Sequence, residues 1–307
     1  NYKKNETIPS FYAENIFDWN DKNLQLISGI RLDQHNNHGL FFTPRCLIKY
    51  NFSENTIMRA SIGKGWRTIN LFSENINLFG TNRDIIISDD LKPEEALNYG
   101  LNLLHAIYLE NIELQFIFDA YKTNFSNQIH PHYHTSENSV YVHNLVDAST
   151  SNSLQAEFAI ELYQSLGAKI AYNYLDVYRI EHGQKHRLPF TSKHHVLSTL
   201  SYKPIKQNWH FDCNLHWFGK KKLIDPSENP EPYSRNKNSE PYSIINTQFT
   251  KKFAKMDLYI GAENIFNFKQ ENPIISWEDP FGEYFNIANV WGPTKGREVY
   301  LGLRYIL

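Results

Sequence analysis

Apolar residues recur at every second position along almost the whole chain, and helical spacing is never sustained. Across residues 111–121, Ile112, Leu114, Phe116, Phe118 and Ala120 alternate with Glu113, Gln115, Ile117, Asp119 and Tyr121. Residues 207–218 repeat the pattern, with Trp209, Phe211, Cys213, Leu215 and Trp217 on one side and His210, Asp212, Asn214 and His216 on the other. Residues 24–33, 42–50, 56–67 and 96–107 follow the same rule, while 169–178 and 242–249 alternate less cleanly. The final run ends flush with the last residue and has an unbroken apolar row of Val299, Leu301, Leu303, Tyr305 and Leu307. Successive side chains of a strand point to opposite faces, so each run carries one apolar and one polar face. The pattern predicts about thirteen strands, with residues 140–162 read as a single long one.

The connections sort into two kinds. Short polar turns fall at residues 20–23, 51–55, 109–111, 164–167, 203–207 and 251–255, and longer segments at 35–40, 68–92, 124–138, 181–191, 219–240 and 268–297. Short and long alternate strictly, as an up-and-down barrel with short periplasmic turns and long extracellular loops requires. The expected fold class is therefore all-β: an antiparallel up-and-down transmembrane β-barrel, here an open partial barrel. Its last strand follows a long loop and so runs downward, leaving the C-terminus in the periplasm. Single-chain bacterial barrels use even strand numbers, and plugged outer-membrane transporters use 22. Thirteen strands thus predict a C-terminal fragment, with about nine strands and a plug upstream of Asn1. Its free edges are expected near residues 8–19 and at the last strand.

Composition sharpens this picture. Aromatics make up 15% of the 307 residues, with 19 Tyr and 20 Phe, yet mean hydropathy is only -0.53. Strands with lipid on one side and a polar lumen on the other produce that combination, because only half of each strand is apolar. No run of about eighteen apolar residues occurs, which excludes a membrane-spanning helix and leaves a barrel open. A net charge of -2 with no basic block argues against nucleic acid as a partner. Cys46 and Cys213 stand apart, without metal-ligand spacing. The chain opens Asn1-Tyr2-Lys3-Lys4 with neither an initiator Met nor a leader, so truncation is expected.

Several segments resemble a known family. Residues 91–100, Leu-Lys-Pro-Glu-Glu-Ala-Leu-Asn-Tyr-Gly, are similar to the post-loop strand start of TonB-dependent outer-membrane receptors, where a Pro-Glu pair precedes an Asn and an aromatic. Phe42-Thr43-Pro44-Arg45 and Arg59-Ala60-Ser61, running into Gly63, Gly65 and Arg67, resemble the family's preceding paired strands. Glu263-Asn264-Ile265-Phe266-Asn267 resembles its penultimate strand, and Trp291-Gly292-Pro293 with Gly296-Arg297 its approach to the last one. Gly302, Tyr305 and Leu307 are spaced like the C-terminal assembly signal of outer-membrane proteins. The resemblance implies the C-terminal half of a receptor barrel in a Gram-negative outer membrane, folded by the barrel assembly machinery and surrounded by outer-membrane lipid. It further implies TonB-driven uptake of a scarce extracellular ligand, such as a metal chelate, siderophore, haem or cobalamin. The plug and the TonB-contacting segment would lie upstream. A surface adhesin, or a barrel that binds a ligand without transporting it, is the alternative.

Two groups of residues are candidates for ligand contact. His35, His38, His130, His132, His134, His182 and His186 all fall in expected outer loops, and neutral imidazole is the commonest metal ligand. His130, His132 and His134 alternate on an extended backbone and so point the same way; ligation needs nitrogens about 2.0–2.1 Å from a shared ion. Polar loops also tolerate histidine freely. The second group is basic: Arg31, Arg45, Arg59 and Arg67 share the lumen-facing parity, where they can meet a plug carboxylate, guide an anionic ligand or simply link strands. Among the last loop's aromatics, Trp277, Phe281, Tyr284, Phe285 and Trp291, an anchoring role outweighs stacking on a ligand. No nucleophile elbow, His-Glu-x-x-His motif or phosphate loop occurs, so no catalytic residue, enzyme activity or cofactor is expected.

Overall fold

A computed structural model describes residues 5–19, 23–76, 80, 84–136, 139–147, 149–162, 165–181, 183–224, 231, 233–287 and 289–305. The strands are β1 (Ser10–Trp19), β2 (Leu24–His35), β3 (Gly39–Ser53), β4 (Thr56–Arg67), β5 (Asp84–Ile87), β6 (Glu94–Leu109), β7 (Ile112–Ser126), β8 (Ile129–Ser136) and β9 (Ser139–Asn144). They continue with β10 (Ser149–Leu162), β11 (Leu166–Glu181), β12 (Gln184–Arg187), β13 (His194–Tyr202), β14 (Trp209–Phe218), β15 (Tyr242–Lys252), β16 (Met256–Glu263) and β17 (Glu298–Tyr305). One helical turn, α1 (Leu71–Glu74), interrupts them, and no described helix is long and apolar enough to cross a membrane.

Thirteen strands pair antiparallel in the order β1-β2-β3-β4-β6-β7-β10-β11-β13-β14-β15-β16-β17, with β12 added beside β11. The sheet does not close on itself, and its free edges are β1 and β17, as the alternation predicts. Connections at one end are short, for example residues 54–55, 110–111 and 253–255, while those at the other include 68–93, 127–148, 219–241 and 264–297. Two details differ from the sequence reading. The β2–β3 connection shrinks to residues 36–38, because pairing runs on to His35↔Gly39 and Gly39 takes φ +83° to close the turn. Residues 140–162 are two strands, because β9 leaves the barrel to join a small sheet.

That small sheet, in the order β5-β9-β8, ties two long connections together. Ile69, Leu71, Ile129 and Val142 form its buried core, with Ile85, Ile87 and Leu91 packed around them. A barrel wall in lipid needs no such core, since its apolar side chains face outward.

The register separates two faces of the wall. Leu301, Ile260, Phe249, Phe211, Tyr202, Leu166, Leu162, Ile112 and Leu109 lie directly opposite one another from β17 across to β6, an apolar row spanning nine strands. Phe116, Phe118, Leu215, Trp217 and Leu303 share that face. On the other, Lys49, Arg59, Asn102, Asp119, Gln155, Asn173 and His195 form a polar row from β3 to β13. Arg45, Asp212 and Arg304 belong to the polar face as well. Leu301 is 72% exposed, as expected of a side chain whose neighbour is lipid.

Candidate functional site

The four arginines sit on the polar face, with Arg31 and Arg67 toward the long-loop end, Arg45 midway and Arg59 near the short-turn end, and each is tied to another strand. Arg31 Nε donates to Asp33 Oδ1 at 2.7 Å, and a terminal nitrogen reaches the Ser10 hydroxyl at 3.1 Å. The almost buried Asp33 also accepts from Trp66 Nε1 at 2.8 Å. Arg45 crosses Gly29 to pair with Glu14 on β1; a Cβ at Gly29 would meet Arg45 Nε at 3.0 Å, so glycine provides the passage. Arg59 donates to Asn102 Oδ1 at 2.8 Å, and Asn102 donates in turn to Asp119 Oδ1 at 2.8 Å. Arg67 Nε donates to Glu94 Oε2 at 2.6 Å, while the other Glu94 oxygen accepts the Ile129 amide at 2.8 Å.

These pairs consume only part of each guanidinium. Arginine offers five donors, and the Arg31, Arg45 and Arg67 side chains stay more than half exposed. Arg31, Arg45 and Lys64 border a cavity of about 320 Å³ together with Tyr12, Glu14 and Thr43. Lys64 was not singled out by the alternation, because it lies on the opposite parity; it sits on β4 just past the last β3–β4 pair, Arg45↔Gly63.

A larger cavity, about 570 Å³, opens at the long-loop end between residues 5–6, 37–38, 68–72, 87–93 and Ile129. Its wall mixes apolar groups (Ile69, Phe72, Ile87, Leu91) with polar ones (Glu6, His38, Asp89, Lys92), the composition of a small-ligand site.

Histidines around this end form pairs. His35 is buried, and its Nδ1 accepts the amides of Asn37 at 3.0 Å and His38 at 3.3 Å. Those bonds require the proton on Nε2, which faces Glu6 Oε1 at 3.3 Å. His35 therefore closes its own turn, with His38 packed beside it at 4.7 Å between ring centroids. His132 stacks on His143 at 4.7 Å within the small sheet, and His186 sits on β12 opposite Arg179. The side chains of His130 and His134, and all of His182, lie outside the described residues. Among the described residues no three His, Cys, Asp or Glu side chains are grouped to hold a metal ion.

One constellation escaped the sequence reading. His195, Phe218 and Tyr242 stack in succession along the polar row, with centroids 4.5 and 4.9 Å apart, and Phe268 lies parallel to Tyr242 at 4.7 Å. Lys221 Nζ caps them, donating to the Trp291 carbonyl at 2.7 Å and the Tyr242 hydroxyl at 3.1 Å. Trp291 is thus an anchor, packed against Tyr242 and Phe268. Parity alone places His195, Phe218 and Tyr242 on the polar face; Phe268 and Trp291, which pack against Tyr242, come from a loop that alternation does not describe.

The family pattern described as TonB dependent receptor-like, beta-barrel matches residues 1–265. The chain belongs to that family. No curated protein sequence matches it, but solved receptor barrels superpose on it. The siderophore receptor PirA of Acinetobacter baumannii aligns with a TM-score of 0.70 at 13% identity, over 98% of this chain and 46% of that one. The ferric enterobactin receptor PfeA of Pseudomonas aeruginosa, in complex with enterobactin, gives 0.69 at 16% over 97% and 45%. The FrpB iron transporter of Neisseria meningitidis gives 0.68 at 15% over 98% and 45%. This TonB-dependent barrel segment spans less than half the length of each. Its barrel order also continues past the matched residues: β17 pairs with β16 from Glu263↔Glu298 to Met256↔Tyr305. There Gly302 lies opposite Tyr259, and Tyr305 opposite Met256; Leu307 falls outside the described residues.

Proposed function

We propose that this chain is the C-terminal part of the barrel of an outer-membrane receptor that imports a scarce extracellular ligand under TonB drive. The observation that carries the reading is the two-faced wall: a nine-strand apolar row on one side and hydrogen-bonded charges on the other. Lipid tolerates the first, and only a polar lumen tolerates the second. The long connections face outward and the C-terminus lies in the periplasm. Upstream residues supply the remaining strands, the plug and the segment that meets TonB. The exposed donors of Arg31, Arg45 and Arg67, with the half-buried Arg59 below them, pair with plug carboxylates or an anionic ligand.

The ligand is a metal chelate, siderophore, haem or similar molecule, a class supported by the siderophore and iron receptors among the structural neighbours. It enters through the cavity beside His38, and the loop histidines are candidate contacts. Gly302, Tyr305 and Leu307 serve recognition by the barrel assembly machinery. Nothing in this arrangement performs a reaction on the ligand.

The test is uptake of labelled ferric siderophores, haem and cobalamin by cells producing the whole receptor, with and without TonB. Uptake of one of these that disappears without TonB is expected. Binding with no TonB-dependent uptake of any of them would identify a non-transporting receptor and overturn the reading.

A further inference from the structure

The apolar face changes character abruptly near the top of β11. One row across it is Tyr174, Leu154, Ala120, Leu101, Ala60 and Ile48, all but the tyrosine aliphatic. Two residues further along β11 the row becomes Asp176, Asn152 and Lys122 before it returns to Tyr99, Ile62 and Cys46, so the change is confined to β11, β10 and β7. Asp176 lies ten residues beyond Leu166, which begins β11 at the short-turn end. At about 3.3 Å per residue and about 40° of tilt, that is about 25 Å along the membrane normal, the height of the apolar band of such barrels. Asp176 therefore marks the outer boundary of the lipid-facing surface.

Three cations converge there on one carboxylate. Lys185 Nζ reaches Asp176 Oδ2 at 2.7 Å, while Lys193 Nζ and Arg187 Nε stand 3.8 and 3.9 Å from Oδ1. Neither Asp176 Oδ1 nor Arg187 Nε has a hydrogen-bond partner, although both are buried. Among the described residues no second carboxylate pairs with these cations, so two positive charges remain in excess. Tyr178 lies 3.7 Å beneath Lys185, and Tyr174 lies 5.0 Å from Lys193, which fixes the ammonium groups on rings of the kind that gather at membrane interfaces.

We propose that Lys185, Arg187 and Lys193 form a docking site for the phosphate groups of an anionic lipid in the outer leaflet. The site sits at headgroup height on the lipid-facing side, and its excess charge, carried on side chains that stay part-exposed, matches a phosphate with its several acceptor oxygens. This rests on the outer-membrane reading with long connections outward, and is separate from ligand uptake.

The test measures lipids retained by the whole receptor in detergent, by native mass spectrometry, offering lipid A with both phosphates, the same lipid without them, and phosphatidylglycerol. We expect retention of the phosphorylated glycolipid about tenfold above the phosphate-free form, as charge-assisted hydrogen bonds would give. The variant carrying Lys185→Gln, Arg187→Gln and Lys193→Gln should lose that preference, while Lys169→Gln, near the short-turn end, keeps it. Unheated gel mobility checks that the triple variant is folded; if it is not, the wild-type comparison decides. Equal retention of the two glycolipids, or a preference untouched by the triple substitution in folded protein, overturns the site. Displacement of the glycolipid by millimolar inorganic phosphate overturns the lipid as occupant. Preference for phosphatidylglycerol overturns the outer-leaflet assignment and with it the orientation, leaving uptake to its own test.

Discussion

Gly302 and Tyr259 face each other across the β16–β17 pair, and a Cβ on the glycine would stand 2.1 Å from the tyrosine ring carbon that bears the hydroxyl. Gly302 thus has a packing role inside the barrel. Gly302→Val should cut the fraction of receptor running as folded barrel on unheated gels, since overpacking costs about 1–3 kcal/mol, and Tyr259→Ala should restore it. Full assembly of the Gly302→Val protein would remove the steric account. His35 invites a similar test. Its ring accepts two turn amides, so His35→Ala should open residues 36–38 to proteolysis, at a cost of about 1–3 kcal/mol for the donors left unpaired. His35→Asn keeps an acceptor near the same place and should protect the turn. If alanine and asparagine behave alike, the hydrogen bonds do not hold it. In the sequence, His35 reads as a loop ligand because spacing does not tell which lone pair is already engaged. The arginines show the same limit. Their parity is legible, but their partners Glu14, Asn102 and Glu94 come from other strands, tens of residues away.

Strand elements were legible wherever one face meets lipid, because alternation is then enforced at every second residue. It failed at residues 140–162, where Val140 and Val142 keep the period while β9 leaves the wall for the small sheet. What breaks the strand is tertiary: Leu145 is buried and its amide bonds the Gln128 carbonyl at 2.8 Å, and no glycine or proline marks the spot. The β5-β9-β8 sheet makes two long connections one body, with Leu71, Ile129 and Val142 as its shared core. Val142→Ala removes buried methyl groups at the centre of that core, and large-to-small changes in well-packed sites cost about 1–5 kcal/mol. Hydrogen exchange at residues 84–87 and 139–144 should accelerate together, leaving β6 and β7 unchanged. Acceleration in only one of the two segments would mean that they do not form a unit.

At the scale of the whole molecule, a wall with two chemically opposite faces has one consequence that its own cysteines report. Cys213 lies opposite Leu200 and beside Phe211 and Leu215 in alternation, and Cys46 lies opposite Ile62 in the same face's pattern. Both native thiols therefore belong to the lipid-facing side. In membranes they should resist a water-soluble maleimide and react with one that partitions into lipid, since water is absent from the band where they sit. Asn214, the next residue along β14, belongs to the polar face. A receptor carrying Cys46→Ser, Cys213→Ser and Asn214→Cys should show the opposite preference, labelling from water. A shift of register by one residue exchanges the faces of every strand it touches, so the two proteins must differ in opposite directions for the assignment to stand. Reaction of the native thiols from water, with Asn214→Cys labelled only from lipid, would turn the wall inside out. The arginine pairs would then face lipid, where a single basic side chain costs about 2–4 kcal/mol at the midplane, and the outer-membrane reading would fall with them.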